Sequence, residues 1–178
     1  RHDLTVFPDG AGLPSGRGDA VKGAKIFELR CVRCHNQRGE GKQGQYPALV
    51  GGKGTLGTKK PKKSVGSYWP YATTLWDHIN RAMPWTQPKS LSTEEVYAVT
   101  AYILNMGGVV PDSFTLSDQN MAEVQKLLPN RNGMTTDHGL WPGAPASHGG
   151  MGNGGHWDVQ GSSCMKDCVT EIKLGPGV

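Results

Sequence analysis

Apolar residues recur at helical spacing through the first two-thirds of the chain and lose that order afterwards. Residues Asp19 to Arg30 read as a helix. Leu75, Ile79 and Ala82 share one face of a second segment, Thr74 to Met83, and Thr74 with Asp77 three residues later resembles a capping box. Pro84 disfavours helix at Met83, which places that side chain on a loop. Ser92-Thr93-Glu94-Glu95 is a better capping box. It opens a helix to Met106 with Val96, Val99, Ile103 and Met106 on its buried face, and Gly107-Gly108 is a natural stop. Ser117 to Asn120 could start a short helix through Leu128 that Pro129 ends. From Gly139 to Gly161, eight glycines, Pro142 and Pro145 dominate, with Trp141 and Trp157 as isolated large apolar residues. An irregular, wrapping segment is expected there, packed on the preceding domain or on a partner, and Met151 to His156 reads as too Gly-rich for regular structure.

The 178 residues suit one domain with a long extension. Charged residues make up 19%, against ~25% for an average soluble chain, and 26 glycines replace side chains that could pack, so the core should be small. The longest apolar stretches fall short of the ~18 residues of a membrane span, which argues against an integral membrane protein. A formal charge of +4 is too mild to argue for nucleic acid. Lys59-Lys60-Pro61-Lys62-Lys63 is the one dense charge run. It fits a solvated loop or a steering patch for an acidic partner, and no aromatic interleaves it as a nucleic-acid surface would need. No hydrolase, zinc-protease or phosphate-binding signature occurs.

The cysteines carry the chemistry. Cys31-Val32-Arg33-Cys34-His35 has the C-x-x-C-H form that attaches c-type haem. Two thiols one helical turn apart can add to the two vinyl groups of one porphyrin, and the imidazole that follows is delivered to the iron. A thioredoxin-like site would need a preceding strand, whereas the preceding residues read as helix. A zinc site would need a second cysteine pair at the usual distance, and Cys164 and Cys168 lie far away. With His35 on one side of the iron, Met83 is the preferred ligand for the other, with His78 as the alternative. Tyr68, Trp69, Tyr71, Trp76 and Trp85 form an aromatic-rich surround to that side, either packing the haem pocket or contacting a partner.

Gly18-Asp19-Ala20-Val21-Lys22-Gly23, the haem motif, Arg81-Ala82-Met83-Pro84 and the segment Thr93 to Leu104 together resemble class I cytochrome c over residues ~15–110. The resemblance implies an all-α fold with one covalent haem c, bonded through Cys31 and Cys34 and ligated by His35 and Met83. It also implies that Pro47 braces the imidazole. Trp69 and Tyr71 are further pocket candidates. A narrower likeness, in Val65 to Asp77 and Arg81 to Pro84, is to SoxD, the cytochrome family of bacterial sulfur-oxidation systems. That family partners a molybdenum-cofactor subunit, SoxC, which oxidises sulfane sulfur on a carrier, although its members often hold two haems. The implied role is electron transfer from a SoxC-like partner toward a downstream acceptor cytochrome, with no catalysis by this chain alone. A freestanding carrier and a sulfite dehydrogenase cytochrome subunit are the alternatives.

The expected organisation is a haem domain over 15–110 and a Gly/Pro-rich wrapping extension over 111–178. Cys164 and Cys168 are four apart, ~6 Å between Cα atoms on a helical turn, so a local disulfide is favoured over a free thiol or metal site. Asp167 and Val169 exclude a second haem motif there. Haem attachment and a disulfide both point to an oxidising compartment. A start at Arg1 without a signal sequence fits a processed, exported periplasmic protein.

Overall fold

The computed structural model describes residues 5–132 and, in backbone, the strands Leu140–Pro142 and Met151–Asn153. In chain order the elements are β1 (Arg17–Asp19), α1 (Ala20–Arg30), α2 (Val32–His35), α3 (Ala72–Ala82), α4 (Thr93–Met106), β2 (Thr115–Ser117), α5 (Met121–Gln125), β3 (Leu140–Pro142) and β4 (Met151–Asn153). They fall into two compact units, Arg1–Gly133 and Met134–Val178. The first is mostly helical.

Helix α4 is the hub of the first unit because α1, α3 and β1 all pack on it. Its start is the capping box read from the sequence: Ser92 Oγ accepts the Glu95 N–H at 3.2 Å, and Glu95 Oε2 accepts the Ser92 N–H at 2.8 Å. Burial is wider than the expected single face. Every residue from Val96 to Ala101 is buried, with Ile103 and Leu104, while Met106 is only half-buried. An amphipathic stripe predicts one packing partner, and α4 has several.

Helix α1 starts at Asp19, whose carboxylate accepts the Lys22 N–H at 2.7 Å. Helix α1 and the strand β1 before it approach α4 at glycines. A Cβ built on Gly23 would lie 1.9 Å from the Ala98 carbonyl oxygen, and one on Gly18 would lie 2.2 Å from the Ala98 nitrogen. Beyond the crossing, Phe27 meets Tyr102 edge-on with ring centroids 5.3 Å apart.

Helix α3 departs from the sequence reading. It begins at Ala72, so Thr74 and Asp77 are not its cap, and Tyr71 at the N-cap makes no side-chain capping bond. Gln125 of α5 does that work from 52 residues away: its Oε1 accepts both the Thr73 N–H at 3.1 Å and the Thr73 hydroxyl at 2.8 Å. Asp77 instead pairs with Arg81 one turn on, at 2.8 Å. Gln125→Ala is expected to remove about 1 kcal/mol of stability, the worth of a helix cap. A lowered urea midpoint at unchanged slope is the check; an unmoved midpoint would show the cap to be idle.

Residues after Val110 do not form a separate piece at that boundary. β2 pairs antiparallel with β1, with Gly18 opposite Leu116, and Leu116, Met121 and Val124 enter the core. Asp118 accepts the Gly16 N–H at 3.1 Å, and the Tyr97 hydroxyl donates to the Pro14 carbonyl at 2.8 Å. The first unit therefore runs to Gly133 rather than ending near 110. The predicted helix from Ser117 shortens to α5, because Thr115–Ser117 is recruited as a strand.

In the second unit β3 and β4 pair antiparallel, Leu140 with Asn153 and Pro142 with Met151, and Trp141 faces both Gly152 and Met151 in a bulge. Regular structure at Met151 was not expected from its glycines. A paired strand supplies backbone order that local propensity does not. Cys164 and Cys168, with their expected disulfide, lie outside the described residues.

Candidate haem-binding site

Cys31 closes α1, its N–H bonded to the Phe27 carbonyl at 2.8 Å, and its own carbonyl accepts from Cys34 at 3.1 Å and His35 at 2.9 Å. One helical turn thus carries both thiols and the imidazole. Neither thiol is in a disulfide, and both are half-buried. Burial pushes the Cys31 thiol up to about 11, helped by Cys34 and opposed by Arg30. The chain enters this motif from helix α1 and not from a strand, so the site does not fit a thioredoxin-type exchange centre. Among the described residues no group of three or more His, Cys, Asp or Glu is arranged to hold a metal ion.

After His35 the chain doubles back. Asn36 takes φ 60°, ψ 166°, a region that glycine usually fills, and its amide donates to the Gly41 carbonyl at 2.8 Å. The Gly41 N–H bonds the His35 carbonyl at 3.0 Å, and the Leu49 N–H bonds the Gly39 carbonyl at 2.8 Å. This hairpin of turns brings Pro47 back to the imidazole. The hairpin was not legible in the sequence, although Asn36, Gly39 and Gly41 were its signal.

Burial holds the His35 pKa below its ordinary value; the Pro47 carbonyl acts the other way, and His78 adds a small lowering. His35 Nδ1 is buried with no hydrogen-bond partner, and the Pro47 carbonyl lies close enough to the ring to favour its protonated form. With its pKa lowered, the imidazole is neutral near pH 7, the form a metal-ligating histidine takes. Two unpaired thiols on one turn beside a neutral, oriented imidazole fit covalent haem.

On the other ligand segment, α3 ends at Ala82 as Pro84 predicts. Met83 is extended (φ −117°, ψ 145°), its N–H still bonded to the Ile79 carbonyl at 3.1 Å, and its side chain is half-buried against the core. Arg30 ties this region to the haem motif: its Nη1 donates to Gln87 Oε1 at 3.0 Å. Met106 is a second half-buried thioether, and a Cβ on Gly39 would come within 3.4 Å of its Cε.

The aromatic surround divides. Trp69 is half-buried, its ring 6.0 Å from that of His78 and nearly perpendicular; His78 itself is exposed. Tyr71 is half-buried at the start of α3, and Tyr68 is partly open to solvent. Trp76 leaves the group for the core, stacked obliquely on Tyr97 at 5.4 Å, with its Nε1 buried and unpartnered. Trp85, two residues past Met83, is 73% exposed.

Comparison with known proteins agrees with this geometry. Residues 20–107 match the cytochrome c family. Over 91 residues, 48% of the chain, the sequence is 32% identical to the fructose dehydrogenase cytochrome subunit of Gluconobacter japonicus; the chain spans only 18% of that relative. The structure is similar to a chain of the sulfane dehydrogenase SoxCD from Paracoccus pantotrophus, with TM-score 0.72 and 33% identity over 99% of this chain and 77% of that one. Thiosulfate dehydrogenase (TsdBA) from Marichromatium purpuratum is 27% identical over 48% of this chain and 17% of its own, with TM-score 0.36. With its thiols, its half-buried imidazole and a SoxCD chain aligned along nearly its whole length, this chain belongs to the cytochrome c family and carries covalent haem c.

Proposed function

We propose that this chain is the electron-accepting cytochrome subunit of a molybdenum-cofactor sulfur dehydrogenase, receiving electrons from a SoxC-like partner as sulfane sulfur on a carrier is oxidised. The observation that carries it is the 99% coverage of this chain by a SoxCD chain at 33% identity. The haem supplies a one-electron iron couple when bound. Cys31 and Cys34 would anchor it, His35 would present a neutral nitrogen beside Pro47, and Met83 would supply a soft, uncharged second ligand. With His35 and Met83 as its ligands the iron would keep no open position for a substrate, and the chain's work would be to accept and pass electrons. Half-buried Trp69 and Tyr71 would line the haem pocket. Export to the periplasm and a downstream acceptor cytochrome belong to the same reading. Among the described residues no helix is long and apolar enough to cross a membrane.

Mild purification of the native holo-protein tests the reading. The expected result is co-elution with a molybdenum-containing subunit and haem reduction by sulfane sulfur on a carrier thiol. Elution only as a free 19.1 kDa chain without molybdenum would overturn it. Reduction by sulfite and not by sulfane sulfur would also overturn it, in favour of a sulfite dehydrogenase subunit.

A further inference from the structure

Charge is distributed unevenly along the chain. Residues 41–76 hold six lysines and no carboxylate, which leaves 13 of the 19 basic residues against all 15 acidic ones elsewhere. The whole net positive charge therefore belongs to this segment. Lys53, Lys59, Lys60, Lys62 and Lys63 stand exposed on the loop 51–63, and none has a carboxylate partner among the described residues.

The loop has a built shape. Thr55 Oγ1 donates to the Gly52 carbonyl at 2.7 Å and accepts the Lys62 N–H at 3.0 Å, which closes the base. Ser64 Oγ donates to the Gly51 carbonyl at 2.6 Å, and Ser67 Oγ to the Lys62 carbonyl at 2.8 Å. Lys63 Nζ lies 5.1 Å over the Tyr68 ring. These bonds hold like charges together that would otherwise spread apart.

The stems of the loop reach both ligand-bearing segments. Its entry follows Leu49, which is bonded to Gly39 behind His35, and its exit at Val65 donates to the Leu49 carbonyl at 3.2 Å. Four residues further on, Trp69 packs against His78 of α3, the helix that ends at Met83. The unbalanced charge thus springs from the bridge between the two sides of the haem site.

We propose that the loop 51–63 is an electrostatic docking arm that steers an acidic redox protein to the haem site. This rests on the electron-transfer reading above and adds the chemistry of the partner. A carboxylate-rich protein is favoured over an anionic membrane because the loop interleaves no aromatic residue and only one aliphatic, the half-buried Leu56. Charge steering acts through on-rate and is screened by salt, as suits a partner that must leave after one electron.

The test compares the reduced holo-protein, the variant K59Q/K60Q/K62Q/K63Q, and a control of equal net charge, R17Q/K22Q/K25Q/K126Q. Stopped-flow oxidation by ferricyanide, an anion, and by tris(phenanthroline)cobalt(III), a cation, is followed from 20 to 200 mM ionic strength, with poly-L-glutamate as a competitor for the arm. The ferricyanide rate should fall ~10-fold with salt in wild type and control and ~2-fold in the loop variant. Poly-L-glutamate should slow only the first two. Equal salt dependence in loop variant and control would overturn the docking arm, as would loop-dependent binding to phosphatidylglycerol vesicles with no effect of poly-L-glutamate. Failure to exchange electrons with either reagent would overturn the electron-transfer reading itself.

Discussion

Met83→Ala is expected to lower the reduction potential by on the order of 200 mV, a fraction of the ~0.8 V range that axial ligation spans. A soft, neutral thioether ligand favours the ferrous ion, so its loss should remove that preference. The opened position should also bind cyanide in the ferric protein, which the wild type resists. Met106 makes the experiment specific. It is the other half-buried thioether beside the loop that follows His35, and Met106→Ala should leave potential and ligand binding nearly unchanged. If the Met106 variant lost potential while the Met83 variant kept it, the ligand assignment would be reversed. His78 gives a third outcome: a fall in potential on His78→Ala alone would point to an imidazole as the second ligand.

Gly23→Val should be strongly destabilising, at ~3 kcal/mol or more, the upper end of overpacking costs. The new Cβ would sit 1.9 Å from the Ala98 oxygen and 2.6 Å from its carbonyl carbon, both backbone atoms that cannot rotate aside. Helix α1 would have to lift from α4, and the edge-on contact of Phe27 with Tyr102 would open with it. Against a total of roughly 5–15 kcal/mol, such a loss approaches unfolding. Gly57→Ala is the control, because nothing lies within 4 Å of a Cβ there; it should be neutral or slightly stabilising. Denaturant midpoints of the haem-loaded proteins decide the matter, and a Gly23 variant within ~1 kcal/mol of wild type would refute tight helix contact at this crossing.

Several local features survived folding unchanged, although the Thr74–Asp77 cap did not form. Ser92 and Glu95 are three residues apart and cap one helix end, so their bond depends on nothing distant. The haem motif is likewise one helical turn, and Pro84 releases Met83 through a clash with its own neighbour. Trp76 shows where local reading stops. Its place beside four other aromatic residues in sequence suited a haem pocket, yet it stacks on Tyr97. A bulky apolar side chain records that it will be buried and not against what.

The amino-acid order alone determined the attachment chemistry, both ligand candidates and the capped helix α4, because each is written within a few adjacent residues. Tertiary structure decided the rest: the capping of α3 by Gln125 and the pairing of β1 with β2 across about a hundred residues. Those contacts join segments whose separation along the chain leaves no periodic trace. They form because burying the shared core around α4 offsets the entropy of closing the loops between them.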